Sequence, residues 1–350
     1  MKNFLLGSGV VFSLEMRQRV RGMALYVLLG VFFLLILVVT AILASVLFSS
    51  GAETNRRSGA SAFSTIIYFV LLLGTLVAPA LSGNAINGDR EAGTLATTQV
   101  TLVSSWQIVF GKFLAAWVTA LAFLAVSVPF LIFSMVVGVP PVTVIVSILV
   151  LALELGIVAA IGVGLSGVIP RPLFSIVVTY LVIAMLSIGT LIGFFLGGLL
   201  FESPTTTRVY SSSQSDADGN SIHCTYHQTD RGTAPRFDYV WGILVANPYV
   251  LLADAVPTTF DRNGDPTDLF GFIKYGERSA QIPPHLHTTQ NDCSLNQDYS
   301  PPYRKTVDST TPGWLVGLVV QLVLAGTALA GAGLRLRTPA GRLSKGSRVA

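Results

Sequence analysis

Of the 350 residues, 52% are hydrophobic and 11% are charged, less than half the roughly 25% charge of a soluble domain, and the mean hydropathy is +0.67. That balance excludes a water-soluble enzyme and places the chain in a membrane. The net charge of +4 is small and its basic residues cluster beside apolar runs, so no nucleic-acid partner is expected.

Residues 1–22 alternate apolar side chains with Glu15, Arg17, Arg19 and Arg21. The stretch is too short and too charged to span, and predicts an interfacial helix. Arg17 and Arg21 share a face on such a helix, whereas Arg19 points elsewhere. A simple basic anchor is the alternative reading. No cleavable signal peptide is expected, because the first apolar run lacks a small-residue cleavage site and is long enough to span.

Six runs can cross a hydrocarbon core of about 30 Å at 1.5 Å per residue: 23–48, 62–83, 107–137, 142–168, 173–200 and 314–334. Basic residues flank one side of them: Lys2 and the arginines before residue 22, Arg90 and Lys112, Arg171, and a tail with Arg335, Arg337, Arg342, Lys345 and Arg348. Only Arg56 and Arg57 occupy a short loop on the other side. By the positive-inside rule both termini are cytoplasmic. The predicted fold class is an all-α polytopic membrane protein of six transmembrane helices.

Between the second and third spans, residues 84–117 carry most of the polar chemistry of the cytoplasmic side. Asn84 or Asn87 can cap a helix, and Asp89 and Glu91 sit where a helix amino terminus favours carboxylates. Trp106 is placed for the interface and Lys112 for snorkelling from the next span. A short helix lying under the membrane, held by a span at each end, is predicted. Gly111-Lys112 is followed by Phe113 and lacks the spacing of a phosphate-binding loop, so no ATP site is expected in this chain.

Residues 201–312 form a polar extracytoplasmic domain, long enough for a small core. It holds both cysteines, Cys224 and Cys293, on the predicted oxidising side. A disulfide between them would stabilise by roughly 4 kcal/mol in the chain-entropy model; two free thiols are the alternative. All four histidines also lie here, His223 and His227 around one cysteine and His285 and His287 before the other. Such spacings could collect a metal, but ordinary polar loop residues are the simpler reading and no metal site is assigned. Asp216 to Asn220 and Asp261 to Asp265 resemble the start of calcium loops without continuing as one, and turns account for them better. Trp241 to Val256 is apolar but broken by Asn247-Pro248 and ended by Asp254, which predicts a partly buried helix of the outer domain resting on the outer leaflet.

Glu154 is the acidic residue deep in a span. An ionised group at mid-membrane costs about 2.5–3.5 kcal/mol, which leaves a cation or proton site, a subunit contact, or a neutral structural glutamate; the last two are favoured. Gln321 raises the same question. Gly156, Gly162, Gly164 and Gly167 give the fourth span a face for close helix packing.

Asp89-Arg90-Glu91, Gly93-Thr94-Leu95, Ser104-Ser105-Trp106 and Gly111-Lys112 together resemble the pattern of ABC-2 type transporter permeases, transmembrane subunits of bacterial ABC transporters, and the resemblance implies an actinobacterial source. The usual proline before the serine is replaced by Leu102-Val103. The resemblance implies an elbow helix at 1–22, five spans over 23–200 with a cytoplasmic coupling helix at 84–106, the outer domain at 201–312, a sixth span at 313–334 and a basic tail at 335–350. It further implies a permease subunit that is not itself an enzyme, docked through Asp89, Arg90, Glu91, Gly93, Thr94, Leu95, Ser104 and Trp106 on a separate ABC ATPase subunit. That subunit would carry ATP and magnesium, and a second permease subunit would complete a homo- or heterodimer in the lipid of the bacterial cytoplasmic membrane. Export is the direction implied. Two other classes remain: a membrane-anchored sensor or metal-binding protein acting through residues 201–312, and an ion-coupled secondary transporter.

Overall fold

The computed structural model describes residues 2–49, 56–93, 104–136, 138–212, 224–261, 264–291 and 303–336. Among them, six helices are long and apolar enough to cross a membrane. A helix α1 (Lys2–Arg21) precedes the first span, α2 (Met23–Ser49). The second span is α3 (Arg56–Ser82), followed by a short α4 (Asn87–Glu91). The third and fourth spans are α5 (Ser105–Val136) and α6 (Pro141–Val168). The fifth consists of α7 (Pro172–Ala184), a π-helical turn at Met185–Gly189 and α8 (Thr190–Leu200). The sixth, α13, runs over Gly313–Arg335. These limits agree with the sequence reading to within a few residues, as sustained apolarity over 20 or more residues allows.

α6 is the axis of the bundle, with 17 buried residues. Its glycines bring neighbours of the same chain close: Gly156 meets Trp117 of α5, Gly162 meets Ser82 of α3, and Gly164 and Gly167 meet Ala328 and Ala332 of α13. The small-residue face therefore serves packing within the bundle, where close van der Waals contact drives association in lipid. Large apolar side chains such as Leu149, Leu181, Leu199 and Val319 are exposed around the outside, the belt a hydrocarbon solvent requires.

Residues beyond the fifth span depart from the all-α expectation. β1 (Glu202–Ser212) pairs antiparallel with β2 (Cys224–Pro235) and parallel with β3 (His287–Asn291), giving the order β2-β1-β3. Runs of Thr and Ser flanked by polar residues suit an exposed ribbon. Helices α9 (Trp241–Leu244), α10 (Pro248–Ala255), α11 (Leu269–Ser279) and α12 (Tyr303–Ser309) complete the segment.

The stretch expected to rest on a leaflet instead enters the bundle. Asn247 Oδ1 accepts from the backbone N–H groups of Tyr249 and Val250, capping α10 with Pro248 at its first position. The Asn247 amide donates to Ser187 O at 2.5 Å and Thr190 Oγ1 at 2.9 Å, the former a carbonyl within the π-turn. Gln321, about 12 Å along α13 at 1.5 Å per residue, donates to Ala246 O at 3.1 Å. Tyr68 of α3 donates to Tyr249 O at 3.0 Å. The Asn-Pro break that argued against a full span thus marks the tip of a re-entrant turn, its backbone satisfied by protein as non-helical chain at membrane depth must be.

Candidate functional site

The residues singled out between the second and third spans meet α1 at the face of the bundle where α1 lies. α5 has 32 residues, about 48 Å at 1.5 Å per residue, and so exceeds a hydrocarbon core of about 30 Å. Ser105, Gln107 and its one charged residue, Lys112, fall in the first third, and α1 packs along α5 from there to Thr119. The Phe4 ring packs tilted against Phe110 with centroids 5.9 Å apart, and Gln107 Nε2 donates to Phe4 O at 3.4 Å. Gly111 lies against Val11 and Ser8. α5 itself begins on a capping box: Ser104 N–H donates to Gln107 Oε1 at 2.7 Å while Gln107 N–H donates to Ser104 Oγ at 3.4 Å.

Lys112 is the hub. Expected to snorkel, it is 2% exposed and bonded to two carboxylates, Glu15 of α1 and Asp89 of α4, the latter at 2.6 Å. A buried ammonium keeps its charge only with such partners. Glu15 also lies 3.9 Å from Arg19, which turns inward to Leu81 O at 3.3 Å and Thr119 Oγ1 at 3.5 Å. Arg17 and Arg21 are exposed on the opposite face, as the helical spacing predicts. One cation therefore joins the amino-terminal helix, the polar segment and the third span.

The helix in the polar segment is shorter than predicted, and neither asparagine caps it. Ile86 occupies the cap position without a side-chain bond; the backbone N–H groups of Ile86 and Asn87 donate to Ser166 Oγ of α6 at 3.0 and 3.1 Å. Asn87 donates to Ile169 O at 2.6 Å and accepts from Arg90 at 2.5 Å. A serine from another span thus supplies the acceptor expected locally. Gly93 closes α4 at φ +70°, a left-handed position that suits glycine. Glu91 is exposed, and Trp106, half-buried, lies against Gly333 of α13. Ser105 and Trp106 already belong to α5, so the predicted 84–106 helix reduces to Asn87–Glu91 among the described residues. Thr94 and Leu95 lie outside them, as do Arg337, Arg342, Lys345 and Arg348 of the tail.

Glu154 is 1% exposed inside the chain, beside Gln321, which excludes the subunit-contact reading for this side chain. Its Oε1 and Gln321 Oε1 are buried without a hydrogen-bond partner among the described residues.

On the opposite face, a second charged cluster escaped the sequence reading. Arg278 of α11 holds Asp254 of α10 with two bonds, 2.8 and 3.0 Å, and donates to Thr310 O at 2.9 Å. Asp254 Oδ2 also accepts from the backbone N–H of Trp314, capping the start of α13. Glu277 lies 3.2 Å from the same guanidinium, and burial, helped by the Asp254 charge, pushes its carboxyl up to about 7. Lys274 donates to Val256 O at 2.7 Å, and burial lowers its pKa. The signal for this lock was the charge run Lys274, Glu277, Arg278 on an otherwise amphipathic helix.

No group of three or more metal-ligating side chains occurs among the described residues. His287 is exposed, its Nδ1 2.6 Å from Thr206 Oγ1. His227 falls at the β1–β2 register shift, so β1 separates the strands carrying these two histidines by about 10 Å. His223 and Cys293 lie outside the described residues, and with them the Cys224–Cys293 pairing; there is no disulfide among the described residues. Asp261 accepts from the Asp265 N–H at 2.9 Å around Gly264 at φ +86°, a turn.

A scan of protein-family models finds no match to the chain, and neither does a search of curated proteins.

Proposed function

We propose that the chain is the membrane-spanning subunit of an ATP-driven exporter of the ABC-2 permease type, paired with a second permease subunit and docked on separate ATPase subunits that carry ATP and magnesium. In this reading it lies in the bacterial cytoplasmic membrane with both termini cytoplasmic, and a Cys224–Cys293 disulfide closes the outer segment. The observation that carries it is Lys112, bonded at once to Glu15 of α1 and Asp89 of α4. A force applied to α4 by a soluble partner would pass through one buried cation to α1 and the third span, and through Ser166 to the fourth. The exposed Glu91, Arg17 and Arg21 supply a charged surface beside that linkage for the partner to read.

The test is purification of the tagged protein from its host in mild detergent, with mass spectrometry of what accompanies it, beside Glu91→Arg. A soluble ATPase recovered with the wild type and several-fold less with the variant supports the proposal. Recovery of the chain alone with both forms overturns it. A second reading, ion-coupled transport, draws on Glu154 beside a re-entrant turn and an interrupted fifth span. It predicts that Glu154→Gln abolishes proton-driven transport in vesicles lacking any ATPase.

A further inference from the structure

A cavity of about 450 Å³ lies between the fifth span and the outer segment, within the size range of small-ligand sites. Span residues Leu191, Phe194 and Phe195 form one wall, and Leu244, Val250 and Ala280 the wall facing it. Leu191, Phe195 and Ile282 are 40%, 57% and 42% exposed, whereas Leu244, Val250 and Ala280 are below 9%. The mouth therefore opens onto the apolar belt and the closed end lies in protein.

Its depth is fixed by a girdle at the end of α8. Arg236 pairs with Asp238 through bonds of 2.8 and 2.7 Å and lies 4.1 Å over the ring of Tyr239, which packs on Phe201. Arg236 N–H also donates to Phe201 O at 2.7 Å. Aromatic rings with a polar edge collect at the boundary between lipid and water, which puts the cavity just inside that boundary.

The lining offers little to a charged ligand. Its ionisable residue, Glu277, is already engaged: Oε1 accepts from Gln281 at 2.9 Å and Oε2 faces Arg278. Ser279 is the other polar side chain in the lining. Apolar walls of this kind are better covered by hydrocarbon than by water, and hydrocarbon is at the mouth.

We propose that this cavity takes the acyl chain of a bilayer lipid from the leaflet on the side of the outer segment, which makes that segment a lipid-binding module seated on the fifth span. The proposal needs the spans to lie in a membrane and does not depend on an ATPase partner.

The test uses the full chain in vesicles of phosphatidylethanolamine and phosphatidylglycerol doped with phosphatidylglycerol bearing a photoactivatable diazirine on one acyl chain. After illumination, crosslinked peptides are mapped by mass spectrometry. Peptides containing Phe194 and Phe195, and Gly276 to Ile282, should be labelled several-fold above those of α2, the exposed first span. Gly276→Phe should abolish this excess, because a Cβ there meets nothing within 4 Å and the ring enters the cavity. Replacing a helical glycine also favours the helix. Gly242→Phe, equally unobstructed but outside the lining, should leave it unchanged. Ser279→Phe fills the same space one helical turn on and serves if the first variant does not elute as the wild type does. Even labelling of all exposed helices, or an excess that survives a folded filling variant, would overturn the proposal.

Discussion

The two buried charge clusters sit at opposite ends of the bundle and differ in how much water reaches them. At the α1 face, Lys112 is 2% exposed but its partners Glu15 and Asp89 are 14% and 28% exposed. At the opposite face, Asp254, Arg278 and Glu277 are 1%, 6% and 0% exposed. The cluster there contains a two-bond guanidinium–carboxylate pair, a helix cap and a bond to a carbonyl. Separating a pair whose carboxylates already touch water costs less than separating one sealed from it. The comparison teaches that the Arg278 cluster fastens the re-entrant turn to the sixth span, whereas the Lys112 cluster is the less costly of the two to separate. In the proposed transporter, that is the end at which a partner must move something.

The contrast can be broken most severely at Arg278. Arg278→Ala leaves Asp254 buried without its cation and should cost about 3–5 kcal/mol, read as a collapse of the thermal midpoint in detergent or as failure to recover folded protein. Next in size is the pH response of the same cluster. The Glu277 carboxyl rises from 4.5 in the unfolded chain to about 7 in the folded one, so the folded state binds the proton more tightly. Its stabilising contribution is complete below about pH 4.5 and is lost as pH rises through about 7, amounting to about 3 kcal/mol. Glu277→Gln should flatten the thermal midpoint over that window.

At the other end, Lys112→Met should cost about 1.5–3 kcal/mol, the range for charge-assisted bonds, and do so locally, leaving the outer segment protected from protease while α1 becomes cleavable. Ser166→Ala removes the acceptor for two backbone N–H groups at α4 and should cost about 1 kcal/mol, seen as faster amide exchange at Ile86 and Asn87. Smallest is Glu91→Arg. On an exposed position it should change stability by less than about 0.5 kcal/mol, so any loss of a co-purifying ATPase reports docking and not unfolding.

How much of this was legible in the sequence depended on the range of the signal. The spans, their limits and the face carrying Arg17 and Arg21 follow from local hydropathy and helical period, which act within a few turns. The Ser104–Gln107 capping box was equally local and was there to be seen in Ser-Ser-Trp-Gln. Lys112 was misjudged because its partners are remote: Glu15 is 97 residues away, and a lone lysine near the end of a span ordinarily reaches for water. A pairing signal did exist, since Glu15 is the one acid in residues 1–22 and Lys112 the one charge in residues 105–136. The re-entrant turn was half visible. Asn247-Pro248 announced a break, but the groups that make insertion tolerable, the π-turn carbonyl of Ser187 and the side chains of Tyr68 and Gln321, come from three different spans. The strands were missed because polar Thr- and Ser-rich runs carry no alternating apolar face.

The central claim is that Lys112 holds α1 and α4 to the third span as one body. Hydrogen–deuterium exchange of wild type and Lys112→Met in the same detergent tests it directly. The account predicts that exchange rises together across residues 4–21 and 87–91 in the variant, while residues 248–279 keep their wild-type protection. A rise in one of the two segments without the other, or no rise in either, would contradict it.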